Sequence, residues 1–242
     1  MGLTRALLFD FGGTLDWPEH WLDRFLRHYR AAGLEPSRKE LDLAYDDATR
    51  RAYRNGEPLK RLGLRDLVRY LVGVQLDYLC EHGPEPLRDA LALANRASGL
   101  DELAVAISAR FAAESSIGLE NSREVMSSLS SRFKLGVVSN FYGNLDCVLA
   151  EAGMAEMVKV VIDSGRIKIY KPDARIFEAA LRGLGLPADA VVMVGDSLGK
   201  DCIPARRLGM RTVWLRTGVQ GDGDAVADFI IGKLEDLKRL AW

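Results

Sequence analysis

Four short stretches of the 242-residue sequence carry side chains able to do chemistry, and each follows an apolar run. Asp10 ends "RALLFD" and opens "DFGGT"; Ser139 and Asn140 end "KLGVVSN"; Lys171 stands in "YKPD"; Asp196 and Asp201 lie in "GDSLGKD". Carboxylates in such places act as nucleophiles or hold a hard cation, and a hydroxyl beside an ammonium holds an anion. Taken singly, each has an ordinary reading. An acid after a strand often caps a helix, Ser-Asn is turn chemistry, and Lys-Pro is common at a surface turn. What sets them apart is their order in one chain, and so the scaffold that would bring them together.

The apolar run at 5–10 reads as a buried strand, and similar runs follow at 134–140, 159–165, 190–197 and 211–217, with a shorter one at 228–232. Helical patterns lie between them. "ARIFEAALRGLG" sets Ile176, Phe177, Ala180, Leu181 and Leu184 on one stripe with Gly185 as its stop, and "NLDCVLAEAGM" repeats the pattern with Leu145, Val148 and Leu149. Strands apolar on both faces, alternating with single helices, predict an α/β fold built on a doubly wound parallel, Rossmann-like sheet. Ligands of such sheets bind at the carboxyl ends of the strands, where the four stretches fall.

More than a hundred residues of different texture separate the first strand from the second. Residues 16–118 read as an all-helical insertion, leaving 1–15 and 119–242 as the α/β core. "SRKELDLAYDDATRRAYR" starts with Ser37 and Glu40 at capping-box spacing, and Leu103, Ile107 and Phe111 recur every four residues. The Ser-rich 127–133 reads as the end of a helix leading into the second strand. In "WPEHWLDRFLRHYR", Arg24, Arg27 and Arg30 read as a solvated helix face, and Trp17 and Trp21 as packing anchors.

Composition narrows the classes. With 33 basic against 34 acidic residues, the chain lacks the surplus charge of a nucleic-acid face or a polybasic membrane patch. Cys80, Cys147 and Cys202 show no CxxC spacing, which fits a reducing compartment and no structural zinc. The short N-terminal apolar stretch, broken by Asp10, is expected to be neither signal peptide nor membrane span, so the expected location is cytoplasmic.

With its order and spacing, the set Asp10, Ser139, Lys171, Asp196 and Asp201 resembles the haloacid dehalogenase superfamily across the whole chain. The helical insertion stands where that family carries its smaller cap. The resemblance implies a Mg²⁺-dependent phosphatase of a small phosphorylated metabolite. Asp10 would be the nucleophile, passing through an aspartyl-phosphate. Ser139, Asn140, Lys171 and the amides near Gly12 and Gly13 would bind the phosphate. Asp10, Asp196 and the Gly12 carbonyl would hold Mg²⁺, with Asp201 behind them or reaching the metal through water.

One position departs from that pattern. Phosphatases of the family usually carry a general acid–base Asp two residues after the nucleophile, where this chain has Gly12. Losing such a group costs about 10²–10⁴ in rate. A substitute acid (Asp16, Glu19 or His20), a good leaving group, or slow turnover would each accommodate the loss. Two relatives also lack that Asp. Phosphonatases use a cap lysine, for which Lys39 and Lys60 are the choices in the insertion. Dehalogenases need no metal, whereas "GDSLGKD" looks like the metal-binding form of the fourth motif. A phosphate-binding protein with negligible turnover is the alternative from a different class.

Overall fold

The computed structural model describes residues 3–54, 56–97, 99–216 and 226–240. The chain opens with β1 (Ala6–Phe9) and continues through six helices: α1 (Trp21–Ala31), α2 (Arg38–Arg54), α3 (Gly56–Leu59), α4 (Leu64–His82), α5 (Glu85–Ala97) and α6 (Leu100–Ser130). It then alternates: β2 (Lys134–Ser139), α7 (Leu145–Glu151), β3 (Val158–Asp163), α8 (Ser164–Ile167), α9 (Ala174–Leu184), β4 (Val191–Gly195), α10 (Ile203–Arg207), β5 (Arg211–Leu215) and β6 (Phe229–Ile231). Of the run expected at 211–217, Thr217 lies outside the described residues. The strand expected at 159–165 stops at Asp163, because Asp163 caps α8 by accepting from the Gly165 amide.

Six strands form one sheet in the order β3-β2-β1-β4-β5-β6, every neighbouring pair parallel. β1 and β4 are buried at every position, as strands covered on both faces must be. The chain leaves β1 toward β2 and β3 on one side, then returns to β4 on the other. That reversal places the switch point of the sheet beside β1, with Phe9 opposite both Val137 and Val194. Helix α9 buries Ile176, Phe177, Ala180 and Leu184 in a cluster with Leu8, Val138 and Met193. Each large side chain so buried contributes about 1.5–3 kcal/mol. Asp173 caps its first turn at the Arg175 amide, and the helix ends at Gly185.

The described residues within 1–19 and 116–242 form one compact unit, and those within 20–115 form another. Residues 16–19 and 116–118 group with the sheet, where the Ser122 hydroxyl donates to the Leu15 carbonyl at 2.7 Å. In the helical unit, Ser37 and Glu40 close the reciprocal capping box, amide to carboxylate at 2.8 Å and amide to hydroxyl at 3.3 Å. Phe25 stacks on Phe111 with ring centres 4.7 Å apart, and Trp21 meets Phe111 edge-on at 5.1 Å. Arg24 departs from the solvated face expected of it. Its guanidinium is fully buried, lies 3.6 Å over the Phe111 ring, and donates to the Phe111 carbonyl (3.0 Å) and Ser115 Oγ (2.7 Å). Planar, delocalised and weakly hydrated, it can pack against an aromatic face as a lysine could not. Among the described residues, no helix is long and apolar enough to cross a membrane.

Candidate active site

Strand geometry alone carries three of the chemical groups to one edge of the sheet. Asp10 follows β1, with its amide bonded to the Val194 carbonyl at 2.9 Å; Ser139 is the last residue of β2; Asp196 follows β4. Lys171 and Asp201 join them from the segments before α9 and after β4. Lys171 Nζ lies 2.7 Å from Asp10 Oδ1 and 2.6 Å from Asp201 Oδ1, and Ser139 Oγ donates to the same Asp10 oxygen at 2.7 Å. The second Asp10 oxygen has no hydrogen-bond partner among the described residues and is the one available to an incoming group. Asn140 does not join this knot with its side chain. It clamps the Lys171 backbone instead, Nδ2 donating to the carbonyl (3.0 Å) and Oδ1 accepting from the amide (2.7 Å).

The charge balance is uneven. Ligand oxygens of Asp10, Asp196 and Asp201 lie within 4.8 Å of one another, and among the described residues the cation bonded to them is Lys171, through Asp10 and Asp201. With all three ionised, three carboxylates facing one ammonium would leave a surplus of two negative charges in a nearly dry place, for Asp10 is 7% exposed, Lys171 4% and Asp201 0%. The consequences follow from burial and repulsion. Burial, then the charges of Asp10 and Asp201, push the Asp196 carboxyl up to about 8. Burial raises Asp201 to about 6 against the pull of Lys171. For Lys171, burial opposes the charge, but Asp10 and Asp201 overcome it and hold the ammonium well above its ordinary range. An all-oxygen, carboxylate-rich donor set short of positive charge suits a hard divalent cation such as Mg²⁺, and none of the softer ligands that favour zinc or copper is present in it.

The turn after Asp10 is shaped around these acids. Gly13 has φ +84, and a Cβ there would stand 2.5 Å from Asp196 Oδ2, so any other residue would be strained and would displace the Asp196 carboxylate. Asp16, weighed above as a substitute acid, is fully buried and accepts the Gly13 amide at 2.9 Å, which braces the turn. His20 is the N-cap of α1, accepting from the Leu22 amide. The Trp214 indole donates to the Asp196 carbonyl at 2.9 Å, a brace no local pattern announces because 18 residues separate the two.

The sequence profile of the haloacid dehalogenase-like hydrolases matches residues 4–209. The chain belongs to this family. Among relatives of the haloacid dehalogenase-like chain, the haloacid dehalogenase-like hydrolase domain-containing protein 3 of Danio rerio is 36% identical over 106 residues, 43% of this chain and 44% of that one. The phosphoserine phosphatase of Thermus thermophilus is 38% identical over 90 residues, 37% of this chain and 36% of that one. The chain thus aligns with less than half the length of either relative. The solved 2-haloacid dehalogenase of Pseudomonas syringae shares the haloacid dehalogenase-like fold over 98% of this chain and 97% of its own, with TM-score 0.53 and 21% identity.

Proposed function

We propose that this haloacid dehalogenase-like hydrolase is a Mg²⁺-dependent phosphatase acting on a small phosphorylated metabolite in the cytoplasm, with residues 20–115 serving as its cap. The observation that carries this reading is the knot of Asp10, Lys171 and Asp201 beside Asp196, with its surplus negative charge. A phosphatase has a use for that surplus, because a divalent cation held there would supply the positive charge that lets a carboxylate approach a phosphate dianion. The relative that is a phosphoserine phosphatase points the same way.

In this reading the uncommitted oxygen of Asp10 attacks phosphorus, the bond from phosphorus to the ester oxygen breaks, and the alcohol leaves with a proton taken from outside residue 12. Water then cleaves the aspartyl-phosphate, releasing inorganic phosphate and restoring Asp10. The Lys171 ammonium and the Ser139 hydroxyl turn from Asp10 toward the phosphoryl oxygens, where their donors stabilise the charge that gathers in the transition state. Asp10, Asp196, the Gly12 carbonyl and, directly or through water, Asp201 would hold Mg²⁺, which supplies the charge neutralisation that lets a carboxylate approach a phosphate. Gly12 supplies no proton, so ester substrates with poor leaving groups turn over slowly. The phosphonatase alternative loses support at Lys60, whose ammonium is paired with Glu57 on the exposed surface.

Hydrolysis of p-nitrophenyl phosphate compared with a panel of alkyl phosphates, each with and without Mg²⁺, tests this reading. Wild type is expected to cleave the aryl ester with Mg²⁺ and the alkyl esters poorly, and Gly12→Asp to speed the alkyl esters by about 10²–10⁴. Absence of turnover on every phosphate ester, in wild type and Gly12→Asp alike, would sink it. Trapping of a stable phosphoprotein from acetyl phosphate without turnover would instead favour the phosphate-binding alternative.

A further inference from the structure

The end of β3 carries none of the chemical groups above, yet it grips the segment that does. The carboxylate of Asp163 is buried and accepts from the Gly143 amide with both oxygens (3.0 and 2.9 Å), from the Leu145 amide (3.0 Å) and from the Gly165 amide (2.8 Å). Capping α8 requires the last of these alone. The other two donors lie 20 and 18 residues away, in the turn that follows Ser139 and Asn140.

The next three residues hold the same turn. Ser164 Oγ accepts the Phe141 amide at 3.0 Å and donates to the Phe141 carbonyl at 3.2 Å. Gly165 comes so close that a Cβ there would stand 2.6 Å from the Gly143 nitrogen and 2.7 Å from the Phe141 oxygen. Arg166 Nε donates to the Gly143 carbonyl at 2.8 Å. The run 163–166 is therefore fitted, residue by residue, to the backbone of 141–145.

We propose that Asp163 is a positioning residue for phosphate binding, which fixes the 141–145 turn so that Ser139 meets Asp10 and Asn140 holds the backbone of Lys171. This rests on the reading of Ser139 and Lys171 as phosphate-binding groups. The route is short. The clamped turn begins at Phe141, one residue after Asn140, whose amide makes both bonds to Lys171, and two after Ser139, 2.7 Å from Asp10. Asp163→Asn keeps the size but replaces one acceptor oxygen by an NH₂ that faces amide donors, so the turn must move. A misplacement on the order of 1 Å at such a site costs about 10² in rate.

The experiment compares wild type, Asp163→Asn and Ser164→Ala by amide hydrogen exchange, by calorimetric binding of inorganic phosphate with Mg²⁺ present, and by Mg²⁺ binding alone. In Asp163→Asn, exchange is expected to quicken at residues 141–145 and at Gly165 only, phosphate affinity to fall about tenfold or more, and Mg²⁺ affinity to stay within twofold. A merely structural role would loosen the whole unit and weaken both ligands together, and that result overturns the proposal. So does phosphate affinity that stays within twofold of a binding wild type. If Asp163→Asn does not fold, Ser164→Ala, which loses the Phe141 bonds alone, is held to the same outcomes. If wild type binds no phosphate, the phosphatase reading fails separately. Exchange then decides: quickening confined to 141–145 and Gly165 supports the clamp, and unchanged exchange at 141–145 overturns it.

Discussion

Each compact unit buries a cluster of charged side chains, and the two clusters are balanced in opposite ways. In the helical unit, Arg24 donates to the Phe111 carbonyl and Ser115, lies over the Phe111 ring, and stands 3.5 Å from Glu114. Glu114 also takes Arg27 and His28 Nε2, the latter at 3.0 Å. The two arginines there share the Glu114 carboxylate, and Arg24 has the Phe111 carbonyl, the Phe111 ring and Ser115 besides, all within its own unit. In the sheet unit, three carboxylates share Lys171, and Asp196 is pushed to about 8 by burial and by its acidic neighbours. A buried charge matched on the spot is a fastening, and removing one partner costs more than the pair contributes. Like charges crowded together without compensation are a place built to receive a charge from elsewhere.

The contrast can be broken at either cluster. The largest effect is expected from Asp10→Asn, which should lower p-nitrophenyl phosphate turnover by about 10³-fold or more while leaving the thermal midpoint unchanged or raised, since it relieves repulsion. Retained turnover would remove Asp10 from the chemistry. Next comes Arg24→Ala, expected to cost about 2–4 kcal/mol in urea unfolding, because it removes the donor to the Phe111 carbonyl and Ser115 and opens a gap over the Phe111 ring. A loss below 1 kcal/mol would make the Arg24 cluster decorative.

A third, smaller effect concerns the surplus charge itself. Mg²⁺ at about 100 times its Kd should raise the unfolding free energy by about 2.7 kcal/mol in wild type and far less in Asp196→Asn. Thermal unfolding with and without the ion reads this directly, and identical shifts in the two proteins would dissolve the comparison.

The smallest is the acid response of the helical unit. Burial, and then the nearby arginines, hold the His28 imidazole below its ordinary 6.5 despite the pull of Glu114. Its unfolded form therefore takes up a proton first, and stability falls as pH drops below 6.5. Glu114 is raised by burial but lowered more by Arg27 and His28, so its contribution is present above 4.5 and is lost as pH falls further. The raised Asp196 and Asp201 carboxyls act the other way and gain stability as pH falls, so the His28 stage is read as a difference between proteins. From about pH 7.5 to 5 the urea midpoint of wild type should fall relative to that of His28→Gln, and a constant difference would assign the loss to other groups.

What could be read in the sequence, and what could not, follows from distance along the chain. Strands, helices and capping boxes are local. The apolar runs announced the parallel sheet, Ser37 and Glu40 announced their box, and the strand ends announced where Asp10, Ser139 and Asp196 stand. Arg24 was misread because its stripe with Arg27 and Arg30 looks solvated, while its partners Phe111 and Ser115 lie 87 and 91 residues away. Asp163 was hidden inside an apolar run and has meaning only through amides that the fold brings to it. Asn140 was expected to bind the substrate phosphate, and its grip on the Lys171 backbone was not legible.

By itself, then, the sequence determined the class of fold, the kinds of chemical group at its strand ends, and the missing side chain at Gly12. These depend on hydrophobic period and on residue identity, which need no partner to be expressed. Tertiary structure alone decided which charges are matched and which are left over. Electrostatic balance is a sum over neighbours, and here the neighbours of Asp10, Lys171 and Arg24 come from segments tens to more than a hundred residues apart.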